Sequence, residues 1–130
     1  MKCVFCDLNK KDILFENDLA IAFFDKFPVS LGHTLIIPKR HVKTYFDLTN
    51  NEMNAIFDLS NKVKEFLDNK YHPDGYNVGF NVLEAGGQSV MHAHMHLIPR
   101  YKKDCNNPRG GIRKMVKLHD SYHEQENTIK

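Results

Sequence analysis

The sequence predicts a single domain that combines several β-strands with one long α-helix. Three observations support this prediction. A capping box at residues 49–52 precedes apolar residues at helical spacing, and short apolar segments separated by turn residues lie before and after it. The length of 130 residues, with 42% hydrophobic residues, suits one core of ordinary size. No repeat and no second domain interrupts this pattern.

The first third of the chain predicts three strands. Residues 13–15 and residues 19–25 are apolar segments separated by the turn-like residues 16–18. Residues 33–37 then read as a buried strand that stops at Pro38, because proline cannot donate to a sheet ladder. These segments therefore predict one side of a sheet.

The long helix is predicted from its start signal and its apolar spacing. Thr49 and Glu52 have the form of a capping box. The apolar face recurs at helical spacing through Met53, Ile56, Phe57, Ser60, Val63 and Leu67. The cluster at residues 71–75 contains proline and glycine and predicts the end of the helix.

Two strands are predicted after the helix, at residues 77–82 and residues 90–98. In the first of them, apolar and polar residues alternate, so that its apolar residues share one face. If the two strands form an antiparallel hairpin, their apolar faces lie under the helix. Gly79 and Asn81 then lie on the opposite face, beside the polar residues of the last strand.

The last predicted strand carries three histidines at every second position: His92, His94 and His96. Successive side chains of a strand point to opposite faces, so the three imidazoles share one face. Grouping three side chains that titrate near neutrality indicates metal binding, phosphate binding or proton transfer. The alternative is a solvated strand edge in which histidine happens to fill the outward positions.

Two further segments favour a phosphate or nucleotide. Residues 86–89 (Gly-Gly-Gln-Ser) directly precede the histidines, and their backbone N–H groups could converge on an anion, although Gly-Gly is also an ordinary turn. Asp25 follows two phenylalanines at a strand end, where a carboxylate could accept from ribose hydroxyls while a base packs on the rings. The alternative is a carboxylate that turns out to solvent.

The charge balance counts against two broad classes of partner. The formal net charge is +2, which is too small to indicate general binding to nucleic acid or to a membrane surface. The chain starts without an apolar signal segment and contains no apolar run long enough to span a bilayer. We therefore expect a cytoplasmic protein whose phosphate preference comes from a local site.

Cysteine spacing indicates a second kind of site. The chain has three cysteines, and two of them form a Cys3-x-x-Cys6 pair. In a chain without a secretory signal, this pattern favours a metal site or a redox pair over a disulfide framework. Cys105 lies alone in a polar segment, and we interpret it as incidental.

The residues from Gln88 to Ile98 resemble the signature of the histidine triad (HIT) family, in which three histidines alternate with apolar residues. The segment from Gly32 to His41 also resembles the strand and turn that precede the triad in that family. The similarity extends from Cys3 to Tyr101. It implies an α+β fold with an antiparallel sheet of about five strands, one long helix and a short N-terminal helix, joined as a homodimer. We predict a HIT domain over residues 1–113 and a polar tail over residues 114–130.

The resemblance also implies a role for individual residues. His94 would be the nucleophile that attacks the α-phosphorus of a nucleotide, and water would then release a nucleoside monophosphate. His96 would hydrogen-bond the phosphate or the leaving group. The implied nucleotide-binding residues are Asp25 at the ribose, Asn81, Gln88 and Ser89 at the phosphate, and Phe5, Leu8 and Phe23 around the base. Plain core packing is the alternative for the last three.

Some bacterial members of the family hold a structural zinc through a cysteine pair and two histidines, which correspond here to Cys3, Cys6, His41 and His92. Two thiolates and two imidazoles satisfy tetrahedral Zn²⁺. A redox pair or idle thiols are the alternatives. No metal is implied at the nucleophile.

The resemblance leads us to expect a hydrolase for dinucleoside polyphosphates such as diadenosine tetraphosphate. Residues 107–111 resemble a segment of bacterial members with that activity, and Arg100 or Arg109 could contact the distal phosphates. One alternative is a purine nucleoside phosphoramidase of the Hint type, although this chain lacks the C-terminal tryptophan of that branch.

Two further alternatives belong to other functional classes. Nucleotidyl transferases of the family have longer chains with two such domains, so the length counts against transfer. A non-catalytic nucleotide- or zinc-binding regulatory module is the other alternative, and the intact His94 counts against it.

Overall fold

The structure is a computed structural model, and it describes residues 3–116 of the chain. One antiparallel sheet of five strands has the order β1-β2-β3-β5-β4. The strands are β1 (Ile13–Glu16), β2 (Ala20–Phe24), β3 (Thr34–Pro38), β4 (Gly75–Phe80) and β5 (Met95–Arg100), and the helix is α1 (Asn50–Tyr71). The predicted α+β class is confirmed. The N-terminal helix is a single 3-10 turn at Lys10–Asp12.

The predicted capping box starts α1. The Thr49 side chain accepts from the Glu52 backbone N–H, and the Glu52 carboxylate accepts from the Thr49 backbone N–H. Arg40 donates two further hydrogen bonds to this buried carboxylate, at 2.8 and 2.9 Å. These bonds from Arg40 lower the pKa of Glu52 to about 2. The helix ends at Tyr71, and the capping residue His72 adopts the left-handed conformation.

The helix packs its apolar face on one side of the sheet. The core there consists of Ile56, Leu59, Val63 and Leu67 from the helix and Ala20, Ala22, Ile36, Met95 and Leu97 from the strands. The expected helix face was wrong at Phe57, whose side chain is 58% exposed. Leu59 is buried in its place, because residues 52, 56, 59, 63 and 67 keep the three- and four-residue spacing of one helix face.

The hairpin of β4 and β5 differs from its predicted bounds. Strand β5 begins at Met95, so His92 and His94 precede the sheet ladder instead of lying within it. Their segment runs beside the turn after β3, where the Ala93 N–H donates to the Val42 carbonyl. Gly79 pairs with His96 as expected, whereas Asn81 follows the end of β4.

The edge position of β4 explains why one residue expected on the buried apolar face is partly exposed. Val78 shares a face with Leu97 but is 43% exposed, because β4 lies at the edge of the sheet.

On the opposite face of the sheet, Phe23, Leu35 and Ile37 form a small second core with Phe5 and Leu8 from the N-terminal segment. This second core forms the floor of the site described below.

No helix among residues 3–116 has both the length and the apolar character needed to cross a membrane. Of the tail predicted over residues 114–130, residues 117–130 lie outside the described part of the chain. The 3-10 turn at Gly111–Met115 is the last described element.

Candidate active site and metal centre

A cleft of about 280 Å³ lies on the face of the sheet opposite α1, and we call it the aromatic cleft. It is lined by Val4, Phe5, Leu8, Phe23, Asp25, Lys26, Phe27, Leu35, Ser89, Val90, His94 and His96. The fold therefore brings five of the seven predicted nucleotide-binding residues together with the two predicted catalytic histidines. The other two, Asn81 and Gln88, lie elsewhere.

Hydrogen bonding determines which nitrogen of His94 is free. The His94 Nδ1 atom lies 2.8 Å from the backbone carbonyl oxygen of His92. Because a carbonyl oxygen only accepts, Nδ1 carries the hydrogen and donates it. The neutral His94 ring therefore has its lone pair on Nε2, the nitrogen from which such an imidazole can accept a hydrogen bond or act as a nucleophile.

His96 is held in the complementary form by a chain of hydrogen bonds. The Val29 backbone N–H donates to His33 Nδ1 at 3.1 Å, so the hydrogen of neutral His33 is on Nε2. That Nε2–H donates to His96 Nδ1 at 3.0 Å. The hydrogen of neutral His96 is consequently on Nε2, a buried atom without a hydrogen-bond partner among the described residues. The site thus combines a free acceptor on His94 with a free donor on His96.

Burial keeps this hydrogen-bond chain uncharged. Burial is the main cause that lowers the pKa of His96 to about 4, and the neighbouring His94 and His33 lower it further. Burial also lowers the pKa of His33, although Asp25, 3.5 Å from its Nε2, opposes this effect. Both rings are therefore neutral at pH 7, as the hydrogen-bond chain requires.

His33 is a site residue that the sequence pattern does not distinguish. The pattern predicts only that His33 begins a buried strand. The available signal was an imidazole at the start of a mostly apolar run, directly after Gly32. Its 4% exposure shows that its polar atoms must find partners within the protein.

We expect His33→Phe to lower kcat by about 10- to 100-fold, the range typical of a partner that orients a reacting group. Phenylalanine keeps the buried ring but cannot donate to His96 Nδ1, so His96 loses its single tautomer. Steady-state kinetics measure the effect, and His33→Gln, which keeps an N–H donor, should recover part of the rate. A His33→Phe protein with the unchanged rate would exclude this role.

The side-chain amide of Gln88 hydrogen-bonds to backbone groups and does not line the aromatic cleft. Its Oε1 accepts from the Leu83 N–H at 2.8 Å, and its Nε2 donates to the carbonyls of Lys43 and Val90 at 2.6 and 3.0 Å. The side chain is 4% exposed. In this structure Gln88 therefore holds the loop before the histidines, and its neighbour Ser89 lines the cleft.

A second groove, the lateral groove, lies on the other side of His96. Its lining residues are Val29, His33, Asn77, Val78, Gly79, Phe80, Asn81, His96, Ile98, Ile112 and Met115. Asn81 thus lines this groove together with His96 and does not line the aromatic cleft. Among the residues that the structure describes, the lining is mostly apolar, with two amide side chains and the rings of His33 and His96, and it includes neither lysine nor arginine.

Arg100 and Arg109, which were expected to contact distal phosphates, line neither the aromatic cleft nor the lateral groove. Arg100 donates to both carboxylate oxygens of Asp104, at 2.7 and 2.8 Å, and to Asn77 Oδ1 at 2.6 Å. This arginine holds the pKa of Asp104 well below its usual range. Arg109 lies with Arg113 and Lys114 on a surface that does not line either groove.

Four predicted metal ligands meet at the end of the histidine segment. Cys3 Sγ and Cys6 Sγ each lie 3.5 Å from His92 Nδ1. His41 Nδ1 lies 3.4 Å from Cys6 Sγ and 3.1 Å from His92 Nδ1. All four ligand atoms lie within 4.8 Å of one another.

These distances fit one tetrahedral zinc ion. With Zn–S of about 2.3 Å and Zn–N of about 2.0 Å, tetrahedral geometry separates nitrogen and sulfur by about 3.5 Å and two nitrogens by about 3.3 Å. The His92 Nε2–H donates to the Pro38 carbonyl at 2.9 Å, which leaves the Nδ1 lone pair directed at the cluster. The chemistry of the donor set and its spacing therefore suit zinc.

The cluster of Asp25, His33 and His96 also brings potential ligands together. Its two histidines are already hydrogen-bonded to each other, and the remaining ring nitrogen of His33 accepts from the backbone. The hydrogen bonds account for this proximity without a metal.

Comparison with known proteins establishes the family. The family model described as "HIT domain" matches residues 8–103. The chain belongs to the HIT domain family. This HIT domain is 37% identical over 105 residues to Protein hit of Bacillus subtilis, covering 78% of this chain and 72% of that one.

A second relative carries an activity in its name. The adenosine 5'-monophosphoramidase hnt1 of Schizosaccharomyces pombe is 38% identical over 104 residues, covering 77% of this HIT domain's chain and 75% of the relative. A solved structure of a HIT family member from Bacillus subtilis superposes with a TM-score of 0.74 at 29% identity, covering 99% and 96% of the two chains. The similarity to both relatives therefore extends well beyond the histidine segment.

Proposed function

We propose that this HIT domain hydrolyses a nucleoside 5'-monophosphate conjugate through a nucleotidyl intermediate on His94. The observation that carries the proposal is the complementary pair of ring nitrogens. His94 Nε2 offers a lone pair and His96 Nε2 offers a hydrogen, and the two ring centroids lie 5.0 Å apart. A phosphate between them meets a nucleophile and a hydrogen-bond donor together.

The reaction would proceed in two displacements. His94 Nε2 attacks the α-phosphorus, and the bond from phosphorus to the leaving atom breaks while that atom accepts a hydrogen bond from His96 and takes a proton from solvent. Water then attacks the same phosphorus, the bond from phosphorus to His94 Nε2 breaks, and one proton returns to solvent. The products are the nucleoside monophosphate and the protonated leaving group, with one water consumed in total.

The nucleoside would occupy the aromatic cleft. Phe5 and Phe23, whose ring centroids lie 5.3 Å apart, offer apolar walls for a base. The Asp25 Oδ1 atom accepts from the Phe27 N–H, which holds the carboxylate at the cleft, where it would accept from ribose hydroxyls. Ser89 lines the same cleft and would contact phosphate oxygens.

The lateral groove would receive the leaving group, and its lining favours an uncharged one. A polyphosphate leaving group carries several negative charges, whereas the described residues that line this groove include no lysine or arginine, and the nearby Arg100 is paired with Asp104. The named activity of the yeast relative, a phosphoramidase, agrees with this preference. We therefore propose a phosphoramidate conjugate as the substrate class and keep diadenosine tetraphosphate hydrolysis as the competing prediction.

The experiment is a comparison of kcat/KM for adenosine 5'-phosphoramidate and diadenosine tetraphosphate with the same protein. We expect the phosphoramidate to be the better substrate, with the product AMP taking one oxygen from ¹⁸O-labelled water. The reverse order of substrates would contradict the leaving-group argument. Turnover of neither substrate, with AMP still bound, would favour a binding module.

We also infer a structural zinc at Cys3, Cys6, His41 and His92, because the donor set and its spacing suit that ion. When bound, zinc would cross-link the N-terminal segment to the histidine segment. The homodimer remains a prediction from the family resemblance, and the cytoplasmic location remains a prediction from the sequence alone.

A further inference from the structure

The N-terminal segment, residues 3–9, forms one wall of the aromatic cleft. Val4, Phe5 and Leu8 from this segment line the cleft. The Phe5 ring lies edge-on to Phe23 and to His94, with centroid distances of 5.3 and 5.1 Å. One aromatic side chain therefore contacts both the apolar wall and the proposed nucleophile.

Few interactions hold this segment on the sheet. The described backbone hydrogen bonds of residues 3–9 are all local, such as the Cys6 N–H to the Cys3 carbonyl at 3.1 Å and the Asp12 N–H to the Asn9 carbonyl at 2.9 Å. Strand pairing begins only at Ile13. Beyond the apolar packing of Phe5 and Leu8 and the edge-on contacts of the Phe5 ring with His92 and His94, the described contacts with the rest of the domain are those of Cys3 and Cys6 with His41 and His92.

Phe5 lies between the two cysteines in sequence. A metal ion held by Cys3, Cys6, His41 and His92 would therefore restrain the short turn that carries the Phe5 ring. A ligand that contacts this ring would in turn favour the conformation in which the two thiolates meet the histidines. Two ligands that favour one conformation bind with positive cooperativity.

We propose that zinc binding and nucleotide binding are coupled through Phe5. Zinc at the cysteine–histidine site would raise the affinity of the aromatic cleft for a nucleoside monophosphate, and the nucleotide would raise the affinity for zinc by the same factor. This coupling rests on the proposed nucleotide site and on the inferred zinc site. It gives the metal a role in ligand affinity in addition to its structural role.

The first experiment measures AMP binding by calorimetry with the full chain, zinc-loaded and after treatment with a chelator. We expect zinc removal to weaken AMP binding on the order of 5- to 150-fold, the usual range for coupled sites. The reciprocal experiment follows zinc release to a chromogenic chelator, which saturating AMP should slow. Equal AMP affinity in the two forms, or a rate of zinc release that is the same with and without AMP, would overturn the coupling.

Two variants separate the coupling from the loss of a cleft contact. Phe5→Ala should bind AMP weakly in both forms and should release zinc at a rate that AMP no longer changes. Phe27→Ala also removes an aromatic ring from this cleft, but Phe27 lies in the loop after β2 and not in the N-terminal segment that carries the cysteines. This control should therefore keep the full effect of AMP on zinc release, and retained coupling in Phe5→Ala would overturn the role of Phe5.

The design also separates this inference from the proposed function. All measurements follow binding, so they do not depend on turnover. Zinc-loaded protein that does not bind AMP at all would contradict the nucleotide site itself. AMP binding that is tight and independent of zinc would leave that site intact and overturn only the coupling. The zinc-release measurement starts from folded, loaded protein, so it remains decisive if the chelated protein unfolds.

Discussion

His94→Asn is expected to lower turnover by roughly 10⁴-fold or more while AMP binding survives. Asparagine keeps a polar side chain of similar size but cannot form the nucleotidyl intermediate, and removal of a covalent nucleophile has effects of this order. Initial rates with adenosine 5'-phosphoramidate measure the first effect, and calorimetric titration with AMP measures the second. His94→Ala should show the same loss.

The matched control is the same substitution at an exposed histidine. His72 ends α1 in the left-handed conformation with φ of 53°, which asparagine adopts readily. His72→Asn should therefore keep both the rate and the stability of the unchanged protein. Hydrolysis at a near-normal rate in His94→Asn would rule out the covalent mechanism.

Cys6→Ser is expected to remove the zinc and to destabilise the domain. A ligand present at a thousandfold its Kd stabilises the folded state by about 4 kcal/mol, so loss of a tightly held ion has an effect of that order. The midpoint of thermal unfolding should fall by roughly 10 °C or more. Metal analysis of the purified protein and calorimetric unfolding measure the two changes.

Cys105→Ser provides the control, because Cys105 is an exposed cysteine that does not belong to the cluster of four ligands. It should change neither the zinc content nor the unfolding midpoint. Stoichiometric zinc in Cys6→Ser, or full stability of metal-free protein, would contradict the site. Together the two serine variants test the metal centre without reference to activity.

The helix shows how far local sequence information reaches. The capping box and the apolar spacing of α1 are contained within some 20 consecutive residues, and the helix begins and ends where they indicate. Strand bounds were less accurate. Strand β5 begins only at Met95, because His92 bonds to Pro38 at the end of β3 and the Ala93 N–H bonds to Val42 in the following turn, which local periodicity does not report.

The roles of single polar residues were harder still to predict. Gln88 was expected at the phosphate from its position in the motif, but its amide bonds to three backbone groups. His33 was read as part of a strand, yet it orients His96. In both cases the residue type allowed several partners, and only the packed structure selects among them.

The capped helix, the cysteine pair and the three histidines at alternate positions follow from the order of residues alone. Which ring nitrogen of each histidine carries the hydrogen depends instead on contacts between distant parts of the chain. His92 donates to a carbonyl 54 residues away, and His96 accepts from a histidine 63 residues away. Helix and strand signals come from neighbours along the chain, whereas the proton of an imidazole depends on whichever donor or acceptor folding brings beside it.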